Sequence, residues 1–194
     1  SDMATSELKV SPGTYDMYAF VNDPADWFTR QDLTEDLIMS SSSSYSDNTM
    51  SSFVMFGRAL SVNVDEKHPT ATVHVDRFMS RIVFENITAD FSSNSRYNGC
   101  SLTVRNIYLT NVIGTCPYSM APSVSPSSNG VWYNKMGPEE CPASITAMTE
   151  DKGLNVTIPD GSSKSISRVY YAYPNGCAAD TDSDTWQTRR TRVA

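Results

Sequence analysis

The stretch TATVHVDRFMSRIVFENITADF, residues 70 to 91, constrains the fold more than any other part of the chain. It is long and rich in Val, Ile and Phe, the residues of a half-buried pleated strand. Yet its alternation does not keep one phase. Val73 and Val75 set an odd-numbered core face, which would carry Arg77, Met79 and Arg81 inward if continued. Phe78, Ile82 and Phe84 set an even-numbered one. A slip of one residue sends every side chain to the other face of a sheet. The two phases are reconciled by a β-bulge or a sharp bend near Asp76-Arg77. Arg77 and Arg81 then point away from the apolar face, and the charges need no chemistry to explain them.

The rest of the chain reads the same way. GTYDMYAFVN, residues 13 to 22, is a strand entered from the Pro12-Gly13 turn, with apolar side chains on both faces. Residues 30 to 39 hold one to two turns of helix around Leu33, Leu37 and Ile38. SSSSSYSDNTMSS, residues 40 to 52, reads as a polar low-complexity loop. A strand follows around Ala59 to Val64 with Leu60, Val62 and Val64 on one face, then a turn at residues 66 to 69. CSLTVRNIYLTNVIG, residues 100 to 114, is a second long strand. It is expected to form a hairpin with the preceding one through the loop at residues 92 to 99.

The character of the chain changes at Thr115. Residues 115 to 150 hold five of the ten prolines and few periodic apolar positions. They read as a linker or a long domain-edge loop. Strands resume at residues 153 to 159, with Leu154, Val156 and Ile158 alternating, and at residues 167 to 175, with Val169, Tyr171 and Tyr173 on one face. TRRTRVA looks like the start of another. The expected fold is an all-β antiparallel sandwich in two parts. Residues 1–113 form an N-terminal sandwich domain, and residues 114–194 form a Pro-rich linker loop and the start of a second, incomplete β domain.

Composition narrows the function classes. The formal net charge is −7 and the one basic cluster is Arg189, Arg190 and Arg192, so a nucleic-acid partner is not expected. No apolar run approaches the roughly 20 residues of a membrane-spanning helix. SDMATSELKV has no hydrophobic stretch of the kind a leader carries, so the chain reads as an intracellular protein or as a mature, trimmed secreted one. P-loop, G-x-S-x-G and H-E-x-x-H patterns are lacking. His68 sits in a turn and His74 on the polar phase of a strand, with no local signature of a nucleophilic pair. No enzyme activity and no cofactor are expected.

Four local features remain. Asp180, Asp182 and Asp184 form a D-x-D-x-D run that matches the opening ligands of a calcium loop, but Thr185 stands where such a loop wants glycine. The run reads as a solvated acidic turn and a weak calcium candidate. The four cysteines have no metal-site spacing. They fit disulfides with three possible pairings, or equally buried free thiols. A Cys116–Cys141 bond would close the Pro-rich stretch and contribute roughly 3–4 kcal/mol for a loop of about 25 residues. Asn86 and Asn155 head glycosylation sequons. Trp27-Phe28 and Trp132-Tyr133 are candidates for a sugar-binding face or, more simply, for packing loops onto a core.

The order of segments carries a further signal. LKVSPGTYDMYAFVN, then SSFVMFGRA, VHVDRFMSRIVFENITADF, LTVRNIYLTNVIG, and finally YYAYPN before RRTRVA, together resemble the fimbrillins. These are the major fimbrial subunits of Bacteroidia-type (type V) pili. The resemblance covers most of the chain and is least in residues 115–150. It implies transthyretin-like β-sandwiches, export as a lipoprotein precursor, and a place in fimbriae at the cell outer membrane surface. It also implies partners: other fimbrial subunits joined by strand exchange, and surface ligands of host or bacterial cells. The alternative is an extracellular carbohydrate- or ligand-binding β-sandwich module.

Overall fold

The structure is a computed structural model that describes residues 7–25, 27–119, 132–134, 143–175 and 191–193. In chain order its strands are β1 (Gly13–Val21), β2 (Ser42–Ser44), β3 (Met55–Val64), β4 (Asp76–Arg77), β5 (Ser80–Ala89), β6 (Ser101–Val104) and β7 (Ile107–Thr110). They continue with β8 (Val112–Ile113), β9 (Thr115–Pro117), β10 (Trp132–Tyr133), β11 (Glu150–Asp151), β12 (Val156–Pro159), β13 (Ser162–Ala172) and β14 (Arg192–Val193). Two short helices, α1 (Glu35–Ser40) and α2 (Ala143–Thr149), and two 3-10 turns at Trp27–Thr29 and Tyr45–Asp47 complete the described elements. Every ladder among the described residues is antiparallel, and the fold is all-β and sandwich-like.

The phase conflict in residues 70 to 91 is resolved as a change of sheet. β4 pairs with β3, whereas β5 pairs with β13. Between them Phe78 and Met79 are both buried at the break, where the chain leaves one sheet for the other. Arg77 and Arg81 are exposed, and the Arg77 guanidinium lies over the Phe53 ring at 5.7 Å. A strand that bends to serve two sheets is how a sandwich makes its corner.

Three other irregularities displace expected faces. Between Tyr15↔Val62 and Met17↔Ala59, β1 has one residue where β3 has two. Ser61 takes the extra turn with φ 55°, and its N–H donates to Asp16 Oδ1 at 2.7 Å. Leu60 is thereby pushed out of phase with Val62 and Val64 and is 45% exposed. In β13 a bulge at Ser167 (φ 49°) puts Tyr170 and Ala172 on the core side, rather than Val169 and Tyr171. The expected strand at residues 100 to 114 is three pieces, broken at Arg105-Asn106 and at Asn111 (φ 53°).

The expected hairpin through residues 92 to 99 is not formed. β5 pairs with β13 and β6 with β12, so the loop joins two sheets. It is held by Asp160, whose carboxylate accepts the N–H groups of Phe91 and Gly99, each at 2.9 Å.

The boundary expected at residue 113 is crossed by six ladders: β2–β9, β5–β13, β6–β12, β7–β11, β7–β14 and β8–β10. One buried cluster runs from Trp27, Phe56 and Phe78 through Leu109 and Tyr118 to Ile145, Tyr170 and Tyr173. Within the stretch expected to be a linker, Cys116, Tyr118, Ile145 and Met148 are all buried in that core.

The serine run is the other correction. Ser43, Tyr45 and Asn48 are fully buried rather than solvated. α1 begins at Thr34, whose side chain accepts the Leu37 N–H, and it delivers the chain into β2. There Asn48 Nδ2 donates to the Tyr173 hydroxyl at 2.8 Å and to the Ser44 carbonyl at 3.1 Å. Asn48 Oδ1 accepts the Val54 N–H at 2.9 Å. The Tyr173 hydroxyl also donates to Ser44 O, and the Tyr45 hydroxyl donates to Tyr171 O at 2.7 Å. Polar residues are tolerated in a core when their hydrogen bonds are satisfied, and here partners more than a hundred residues away supply them.

Candidate functional site

The feature that stands out is one edge of the β1–β3–β4 sheet. β3 is flanked on both sides. β1 lies along one, and β4 pairs with Met55 and Phe56 on the other. The backbone of His74-Val75 passes so close to β3 that a Cβ at Gly57 would stand 1.8 Å from the His74 carbonyl oxygen. Only glycine fits there.

β1, by contrast, is paired on one side only among the described residues. It is nine residues long, carries Asp16 as its one charge, and has no lysine or proline along its length. Proteins usually blunt such an edge with charge, proline or brevity. The bulge at Asp16 interrupts it once, and Met17–Val21 then runs free of charge to the strand's end.

That end is fixed rigidly. Phe20 stacks on Trp27 at 4.9 Å between centroids and meets Phe56 and Tyr118. Asp23 ties the chain as it leaves the strand. Its carboxylate accepts the Ala25 N–H at 2.8 Å, the Trp27 indole N–H at 3.0 Å, and the Tyr118 hydroxyl. Burial, and then the Asp23 carboxylate, raise the pKa of Tyr118 and keep that hydroxyl a donor.

The other end of the ribbon is bare. Tyr15, Met17, Val62, Val64, Val73 and Val75 are only half-buried and lie outside the core cluster and the residues packed on it. The segment leading into β1 has no regular secondary structure, with Leu8 81% and Val10 50% exposed. Among the described residues the edge thus presents apolar side chains together with backbone groups that no ladder uses, as strand addition requires.

The residues singled out from sequence fall elsewhere. Cys116 is a free, buried thiol, the second of the two states expected of the cysteines, and burial pushes its pKa up to about 11. Cys141 lies outside the described residues, as do Asp180, Asp182 and Asp184. Cys100 is free and exposed. Among the described residues no group of three or more His, Cys, Asp or Glu side chains could hold a metal ion. Asn86 and Asn155 are exposed. Trp27 is buried in the aromatic cluster, so it belongs to the core and offers no platform for a sugar. No helix among the described residues is long and apolar enough to cross a membrane.

Sequence reasoning identified β1 as a strand but not as an edge. Its apolar character on both faces suggested a strand covered on both sides. The alternation of Leu8 and Val10 ahead of Pro12-Gly13 was the available signal for the segment before it. Comparison with protein-family models, with curated proteins and with solved structures returned no match.

Proposed function

We propose that this chain is a structural, non-enzymatic subunit of cell-surface fimbriae that assembles by β-strand addition along the open edge of β1 and supports adhesion. Its place is the outer membrane surface, and its partners are other fimbrial subunits together with the surface ligands to which fimbriae attach. The observation that carries this reading is a long, nearly uncharged edge strand, beside which half-buried apolar side chains lie outside the core. An edge of this kind is satisfied by a strand from another chain. The segment order that resembles the fimbrillins supports the same reading.

The experiment is assembly of the purified chain followed by electron microscopy, with Met17→Lys as the edge-blocking variant. Met17 is half-buried and outside the core cluster, so lysine there leaves the fold intact. Filaments or ladders of oligomers that disappear with Met17→Lys are the expected result. Assembly that is indifferent to the lysine would remove β1 as the receiving edge, and a chain that never assembles would remove the reading itself.

A further inference from the structure

We propose that the segment Glu7–Ser11 of one copy of this chain is the strand that a second copy accepts along β1. The inference rests on the assembly reading above and adds the identity of the occupant.

Leu8 and Val10 are two residues apart, so an extended backbone places both on one face. They are among the most exposed apolar side chains of the described residues. The segment makes no ladder with any described strand. It is also poorly placed to fold back on its own β1. The connection is Pro12-Gly13: proline excludes the positive φ that the tight hairpin turns need at their first central residue, and Gly13 is already the first residue of β1, opposite Val64, without a positive φ. The Tyr15 hydroxyl donates to the Ser11 carbonyl at 2.6 Å, which ties down the segment's last residue. Among the described residues, one chain therefore carries both an apolar segment without a sheet edge and an apolar sheet edge without a partner strand.

The chemistry of the two pieces matches. With Leu8 and Val10 beside Met17, Ala19 and Val21, Lys9 falls on the opposite face with Asp16 and Tyr18. On that face Glu35 is held in an ion pair with Arg58 at 2.7 Å beside Tyr18, while Asp16 is exposed and accepts only the Ser61 N–H among the described residues. Asp16 is the carboxylate that Lys9 would meet. The contact is heterologous, so repeating it builds an open row of copies, whereas reciprocal exchange closes at two.

The test is sedimentation velocity of the full chain over a concentration series, comparing wild type with the double variant Leu8→Asp, Val10→Asp. A companion measurement mixes Cys100→Ser, Val10→Cys chains with Cys100→Ser, Ala19→Cys chains and maps any disulfide between copies by mass spectrometry. Leu8 and Val10 are exposed and outside the core, so the aspartates leave folding unchanged. At least a tenfold weakening of association is expected, together with a disulfide that joins the two introduced thiols across copies. Wild type that associates no more strongly than the double variant would overturn the arm and leave the assembly reading standing. Arm-dependent association that stops at two copies would support the contact and overturn the filament. A wild type that stays monomeric throughout would overturn both.

Discussion

Replacing Asn48 by alanine tests whether the serine run belongs to the core. The Asn48 side chain is fully buried and makes three short hydrogen bonds: one to the Val54 N–H, one to Ser44 O and one to the Tyr173 hydroxyl. Alanine leaves the Val54 N–H buried without an acceptor, which costs about 1–3 kcal/mol. The other two bonds contribute about 0.5–1.5 kcal/mol each, toward the lower end because Ser44 O keeps the Tyr173 hydroxyl as a donor. The sum is about 2–4 kcal/mol, a large share of the stability of an ordinary domain. At this chain length it lowers the melting temperature by roughly 5–15 °C. Urea titration followed by far-UV circular dichroism and tryptophan fluorescence measures it. Ser51→Ala, an exposed position in the same run, is the control and stays within about 0.5 kcal/mol. Tyr173→Phe alone costs less than Asn48→Ala, and the double variant costs less than the sum, because both act on one network. An Asn48→Ala cost as small as the control's would refute the reasoning and return the run to solvent.

Gly57→Ala places a methyl 1.8 Å from a backbone carbonyl that no rotamer can move, so it destabilises by at least about 1–3 kcal/mol in the same titration; a neutral result would mean that residues 74–75 do not cover β3. The Asp160 carboxylate is held below its ordinary pKa of 3.8 chiefly by the Gly99 and Phe91 N–H groups. Its stabilising effect is therefore present above that value and is lost as the pH falls through the lower folded-state value. Asp160→Asn is expected to melt below wild type at neutral pH, with the gap closing on acidification below about pH 4; a gap that stays constant with pH would show that the carboxylate's charge is not what holds the loop.

What the sequence made legible was local. The change of phase between Val75 and Phe78 is written in a dozen residues, and the structure puts its sheet corner there. The helix expected within residues 30 to 39 from Leu33, Leu37 and Ile38 is present as Glu35–Ser40, with Leu33 ahead of it and 40% exposed. What stayed hidden depends on distant partners. Nothing within residues 40 to 52 announces that Tyr173 will bury Ser43 and Asn48, so a polar run reads as solvated until its partners are known. The prolines of residues 115 to 150 suggested a linker because proline breaks periodicity. They say nothing of Tyr118 and Ile145, which enter the core singly rather than as a face. The candidate site escaped for the same reason. Which strand ends a sheet is a matter of non-local pairing, and β1 has the composition of an interior strand.

The most direct test of assembly through β1 is amide hydrogen exchange, measured on the dispersed chain and on the assembled one. In the dispersed chain, the β1 amides that point away from β3 have no strand partner among the described residues and are predicted to exchange quickly, while those bonded to β3 are slow. On assembly the fast amides within Met17–Val21 are predicted to become protected, with β5 and β13 changing little. Protection that appears along β5 or β13 while the outer amides of β1 remain fast would contradict the account.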